Sequence, residues 1–249
     1  MPQPSGDHSE DAQALQLAYD RLKQQAQFQA GFLGTASHEL RAPINQIISL
    51  HQLILEDLCE NPAEEREFLT QANQTMQTVL KNLDLLINLS KLDIGTVQPQ
   101  LQPVLLASLV ANVQQLVEKK CVNRYCRLTI GEIDPELLAE SDVQWLRQLL
   151  VTLIDAALGS GSTAINLAIE AQDDDQVEVA LGCDRPISEG SEQVPDPSDR
   201  GVSMTAVSPE FHYQLAVRMV AHLKGEISQS NATNGGGNLI QIILPRGSF

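Results

Sequence analysis

The chain has 249 residues, of which 43% are hydrophobic, enough for one large domain or two small ones with a packed core. A formal net charge of −16 and a pI near 4.6 argue against a nucleic-acid-binding surface or a polybasic membrane anchor. Aromatic residues make up 4% of the chain, so bases would find few stacking platforms, and the expectation is a soluble protein that docks other proteins.

Cys59, Cys121, Cys126 and Cys183 show no CxxC pairing. They read as reduced thiols of a cytoplasmic protein rather than a zinc knuckle. The start of the chain is polar and lacks an apolar signal core, and no run reaches the roughly 18–20 apolar residues that span a bilayer. The expectation is therefore no membrane segment.

Residues 1–10 read as a disordered tail of prolines, glycine and acids with nothing to bury. From about Asp11 to residue 27, Leu15, Ala18 and Leu22 have the spacing of a weak coiled coil. A first bundle helix is expected over 28–59, with Leu33, Ser37, Leu40, Ile44, Ile47, His51, Ile54 and Leu58 as its seam. His38 falls one residue past that seam, which leaves its imidazole near solvent. Pro43 follows five residues later. A mid-helix proline costs roughly 3 kcal/mol, and a kink beside the histidine is expected.

Asn61 and Pro62 read as the N-cap and first position of a second helix, with Glu64 closing a capping box. Phe68, Ala72, Thr75, Val79, Leu83 and Leu86 continue the three–four spacing to about Asp93. One hairpin cannot bury both seams, so two copies are expected to form a four-helix bundle. Gly95 to Pro103 reads as a linker. Beyond it the pattern predicts a helix (about 105–119), a strand (Cys126–Ile130), and a helix from Ser141 to Leu158. Strands Thr163–Ala171 and Gln176–Leu181 follow, then a polar loop over 183–208. A helix (209–223) and strands Gly225–Gln229 and Asn238–Leu244 close the chain. Helices with mostly antiparallel strands define an α+β class: a dimeric helical hairpin over 28–97, then an α/β sandwich over 98–249. Trp145 is expected in the core.

The run Ser37-His38-Glu39-Leu40-Arg41-Ala42-Pro43 resembles the phosphoacceptor box of two-component sensor histidine kinases. Leu85–Gly95 resembles the end of that family's second helix, and the order and lengths of the later elements resemble its ATP-binding domain. The resemblance implies that His38 takes a phosphoryl group and exchanges it with an aspartate in the receiver domain of a response regulator. Glu39 then polarises the imidazole. Arg41 reads equally as a neighbour for phosphate charge or as a solubilising surface residue. Only residues 1–37 precede His38, so sensing is expected to act through a partner or through the helix itself.

The family's nucleotide boxes depart from the pattern here. In Gln148-Leu-Leu-Val-Thr-Leu-Ile-Asp155-Ala156-Ala157 the magnesium position falls on Ala156, and a methyl ligates nothing. Asp155 is next door, about 100° around the helix. The adenine aspartate position falls on Cys183, and Asp184 could serve only with a one-residue slip. The phosphate loop aligns with Ser208–Tyr213, which has no glycine and adds Glu210. Asn234–Asn238 reads as a hairpin turn rather than a phosphate loop. Ala42 lacks the hydrogen-bonding group that assists the family's phosphatase reaction.

The leading expectation is a homodimeric relay protein with an impaired ATP site. One alternative is a working autokinase that uses Asp155 and Asp184 with ATP and magnesium. The other is a non-catalytic adaptor that binds a regulator or another histidine kinase.

Overall fold

A computed structural model describes residues 34–187, 207–231 and 237–248. The tail and helix expected over 1–27, most of the polar loop, and most of the 234–238 turn lie outside the described residues. The chain forms two compact units, Met1–Ala42 and Pro43–Phe249.

The described residues of the first unit, 34–42, are helical, and helix α1 covers 34–55. It stops short of residue 59. Leu58 N–H reaches back to Leu53 O at 2.9 Å, Asp57 N–H bonds Ile54 O at 3.2 Å, and Asp57 takes a φ of 53°. This is the left-handed closure that ends a helix, here with an aspartate where glycine is usual. The residues around Pro43 are all helical.

Helix α2 (Pro62–Ile94) starts as expected. Asn61 Oδ1 accepts from the amides of Ala63 and Glu64 at 3.0 Å each. Glu64 reaches the amide of Glu60 (2.6 Å), one residue before the cap. Ile47, Leu50 and Ala72 form a small core with Phe68 against it. The expected seam is split between two faces. Pro43, Ile47, Leu50, Ala72, Thr75 and Val79 are buried, whereas His51 is exposed, as are Ile44, Leu58 and Leu83.

The sandwich begins with two strands that the sequence pattern had not marked, β1 (Gln102–Leu105) and β3 (Leu138–Ser141), paired antiparallel. Between them run α3 (Leu106–Asn123) and β2 (Arg127–Ile130). Helix α3 continues past residue 119 and closes at Tyr125, with φ 52° and Cys126 N–H on Cys121 O at 2.9 Å. Helix α4 (Val143–Gly159) is capped by Asp142, whose Oδ1 accepts from Gln144 and Trp145. Strands β4 (Ala164–Ala171) and β5 (Gln176–Cys183), helix α5 (Pro209–His222), and strands β6 (Glu226–Asn231) and β7 (Asn238–Pro245) complete it.

The main sheet has the order β2-β4-β5-β7-β6, with only β2–β4 parallel. Alternate residues bury one face: Ile165, Leu167 and Ile169 on β4, Val177, Val179 and Leu181 on β5, and Ile240, Ile242 and Leu244 on β7. The core also takes in Val113 and Val117 of α3, Leu149, Leu150, Leu153 and Ile154 of α4, and Phe211, Leu215 and Met219 of α5. The result is a helix layer on the five-stranded sheet.

Candidate functional site

In the first unit, His38 is exposed on α1, Glu39 beside it is half-buried, and Arg41 is exposed. Consecutive helical residues stand about 100° apart, so an exposed imidazole and a part-sheltered carboxyl are what the sequence order produces on a helix flank.

In the second unit, the remaining predicted positions lie on α4, at the end of β5 and at the start of α5. Ala156 is fully buried. Asp155 is partly exposed, and Lys120 of α3 sits 2.7 Å from each of its carboxylate oxygens. Asp184 accepts the amides of Thr163 (2.9 Å) and Ala164 (3.2 Å) and the Thr163 hydroxyl (2.5 Å). Partial burial pushes this carboxyl up, but those donors, the Thr163 hydroxyl foremost, outweigh it and hold Asp184 below the usual range. Asp184 therefore ties the end of β5 to the start of β4.

Cys183 is buried, and its Sγ donates to Arg185 O at 3.1 Å. Burial raises its thiol pKa. Across the β5–β7 ladder it faces Asn238. Asn238 is wholly buried, and neither atom of its amide group has a partner among the described residues.

Glu210 occupies the first turn of α5, half-buried, and accepts from Gln214 (3.4 Å). Ser208 caps that helix through the Phe211 amide (3.2 Å). Pro209 closes on the end of α4, where a Cβ built on Gly159 would stand 3.3 Å from the proline ring. The end of α4, the end of β5 and the start of α5 thus share one edge of the sandwich.

Sequence reasoning missed a cleft of about 930 Å³ beside that edge, between α2, α3 and α4. Lys81, Lys120, Arg124 and Arg147 bring positive charge to it, against Asp84 and Asp155. Trp145 lines the cleft half-buried, which corrects its expected place in the core. Helix α4 is apolar on most of its surface, so periodicity alone could not separate its cleft face from its core face. His212 also reaches the cleft, and its Nδ1 lies 3.1 Å from Ser208 O. Among the described residues, no three metal-ligating side chains gather, and no helix is long and apolar enough to cross a membrane.

A family model for the His Kinase A (phospho-acceptor) domain matches residues 28–95. The autoinducer 2 sensor kinase/phosphatase LuxQ of Vibrio harveyi is 26% identical over 144 residues, covering 57% of this chain and 16% of LuxQ. The aerobic respiration control sensor protein ArcB of Escherichia coli K12 is 28% identical over 140 residues, covering 56% and 18%. This chain thus spans less than a fifth of the length of these curated relatives.

Among solved structures, the Acinetobacter baumannii histidine kinase AdeS aligns with a TM-score of 0.60 at 17% identity, covering 85% of this chain and 98% of that one. Full-length ShkA in complex with AMPPNP aligns at 0.54 and 18% identity, covering 87% and 46%. The fold is that of the histidine kinases: a helical phosphoacceptor region followed by an α/β sheet domain. Residues 28–95 thus match a histidine kinase phosphoacceptor domain, and the chain is similar to two-component sensor histidine kinases.

Proposed function

We propose that the chain, as a homodimer, works as a phosphorelay protein. His38 accepts a phosphoryl group and exchanges it with an aspartate of a response regulator receiver domain, while the chain's own nucleotide site is impaired. An imidazole nitrogen attacks the phosphorus of the regulator's aspartyl phosphate, a P–N bond forms, and the aspartate carboxylate leaves. The reverse step returns the group. Glu39 orients the ring and holds its other N–H. The reading divides the chain into a phosphoacceptor region over 28–97 and a degenerate ATP-binding-like region over 98–249.

The observation that carries the impaired-site reading is that both candidate substitute carboxylates are already engaged, Asp155 by Lys120 and Asp184 by Thr163 and Ala164. Ala156 offers no ligand, Cys183 is turned to a backbone carbonyl, and Glu210 adds negative charge where phosphates would lie. These residues do not fit magnesium–ATP.

The dimer reading rests on α2. Leu69, Met76, Leu80, Leu83, Ile87 and Ile94 form an exposed apolar stripe at steps of seven, four and three, the spacing of a helix seam awaiting a partner.

The test is incubation with γ-labelled ATP and magnesium, alone and with an active histidine kinase or a phosphorylated regulator, with His38→Gln as control. Acid-labile label arriving only through a phosphodonor, and absent from His38→Gln, is expected. Label from ATP alone would make the protein an autokinase, and no label under any condition would make it an adaptor.

A further inference from the structure

The chain carries 16 basic residues against 32 acidic ones, but the cleft between α2, α3 and α4 reverses that balance, with four basic and two acidic side chains lining it. Lys120 is taken by Asp155 at 2.7 Å. The side chains of Lys81 on α2 and of Arg124, the C-cap of α3, make no ion pair or hydrogen bond among the described residues. Arg147 of α4 meets the Gln144 amide oxygen. Asp84 also lines the cleft and pairs with none of them. Each of the three helices around the cleft thus presents a cation without a counter-charge.

A second observation is independent of charge. Asn82 lines the cleft and is 9% exposed, and its Nδ2 is buried with no hydrogen-bond partner among the described residues. A buried donor left unmade is costly, and an acceptor brought by a ligand removes that cost. The rest of the lining is partly apolar. Trp145 and Val151 of α4 are half-buried there, and Leu116 of α3 leaves 53% of its surface exposed. A volume of about 930 Å³ suits a small organic molecule. The positions that the family resemblance gives to nucleotide stand elsewhere: Ala156, Cys183, Asp184 and Glu210 do not line the cleft.

We infer that the cleft is a binding site for a small organic dianion, a phosphate monoester or a dicarboxylate carried on a flat apolar body. The anionic group takes Lys81, Arg124 and Arg147 as charged donors and the Asn82 amide as a neutral one. The forked guanidinium donors match the oxygens of either acid, and the indole of Trp145 gives the ring a rigid apolar face. The chain's net charge of −16 does not prevent this. At physiological ionic strength, exposed charges more than about 8 Å away are screened, so the cations of the cleft outweigh the distant acids. The site stands on the chain's own geometry and does not rest on the relay reading above.

Trp145 is the sole tryptophan, so its fluorescence reports on the cleft directly. The experiment titrates the full chain with phenyl phosphate and with phthalate, using inorganic phosphate as the charge alone and phenol as the ring alone, with calorimetry alongside. At least one of the two aromatic dianions is expected to change the Trp145 emission saturably, and to bind about tenfold more tightly than phosphate or phenol. Which one binds separates the phosphate source from the carboxylate. Lys81→Gln and Arg124→Gln, both at exposed positions, are each expected to weaken binding roughly tenfold with unchanged circular dichroism. Asn82→Asp, which sets a carboxylate where the unmade donor stands, is expected to abolish it. Should that variant not fold, the two exposed ones decide. No saturable binding of either dianion at millimolar concentration, or binding that Lys81→Gln and Arg124→Gln leave unaltered, would overturn the site. Displacement of the probe by magnesium–ATP at concentrations below those at which the probe binds would also overturn it, by giving the cleft to nucleotide.

Discussion

Lys120 Nζ lies 2.7 Å from both carboxylate oxygens of Asp155. The acid next to Ala156, the position that the family resemblance gives to magnesium, is thus paired with a cation from the neighbouring helix. Asp155→Asn is therefore expected to leave phosphodonor-dependent labelling of His38 within about twofold of the parent. It should change stability by no more than about 1 kcal/mol, since the pair is part-exposed. A loss of labelling tenfold or greater would place Asp155 in the transfer chemistry.

Asp184 makes a prediction about pH. Its folded pKa lies below the ordinary aspartate value near 3.8, so the folded state binds fewer protons than the unfolded chain on the acid side. The stability that Asp184 contributes is fully present above the unfolded value and drains away as pH falls through the lower folded one. Thermal denaturation between pH 6 and pH 3 should show part of the acid destabilisation disappear in Asp184→Asn, with the variant less stable than the parent at pH 7. Parallel pH profiles would remove this carboxylate from the account.

The folding pattern was legible wherever the sequence repeated a period. The contiguous run around His38, the Asn61–Pro62–Glu64 start of α2 and the alternating strands β4, β5 and β7 all stood out. The two-stranded β1–β3 sheet did not, because β1 contains Pro103 and neither strand alternates, β1 burying one of its four residues and β3 three. The Asp93–Arg218 ion pair was invisible for a different reason. Its members are ordinary charged residues on two helices more than 120 residues apart, and only the packing of α5 on α2 joins them. The bundle seam was read one face too simply. Apolar residues at three–four spacing serve both the inside of the hairpin and its outer stripe, and period alone does not say which face a residue such as Ile44 or Leu83 belongs to.

The thiols divide by position. Cys121, Cys126 and Cys183 are buried, and Cys59 is half-exposed beside the α1–α2 turn. Burial first, then the neighbouring groups of Cys121, Asp184 and Cys183, push the Cys126 thiol up to about 11, so it holds little thiolate at neutral pH. In the native chain at pH 8, one thiol, Cys59, should react with a maleimide within minutes, and the other three only after denaturant is added. Mass spectrometry of the labelled peptides checks this, and early label on Cys126 would contradict the buried, uncharged thiol.

Gly225 sits where the chain leaves α5 for β6. A Cβ there would lie 2.7 Å from Ile243 O and 2.8 Å from the Leu244 side chain. One contact is backbone in the middle of β7, which cannot yield without disturbing its ladder to β5. Gly225→Ala is expected to destabilise the chain by about 1–3 kcal/mol, read from denaturant midpoints with an unchanged slope. A neutral result would mean the α5–β6 junction is looser than its packing implies.

The outer stripe of α2 gives the sharpest test of assembly. Leu80 and Ile87 are each about half exposed (53% and 49%) and lie two helical turns apart on that stripe. If a second copy covers them, each loses its remaining apolar surface to the partner. Placing a carboxylate there both forfeits that burial and leaves a charge facing an apolar seam. The double change Leu80→Glu/Ile87→Glu is expected to weaken self-association by at least about a hundredfold, near 2.7 kcal/mol, while the monomer keeps its helical circular dichroism, because neither side chain belongs to the hairpin's own buried face. Analytical ultracentrifugation decides it: a dimeric parent and a monomeric, folded variant fit the stripe as the dimer face. A variant that remains dimeric would move the interface to another surface of the chain.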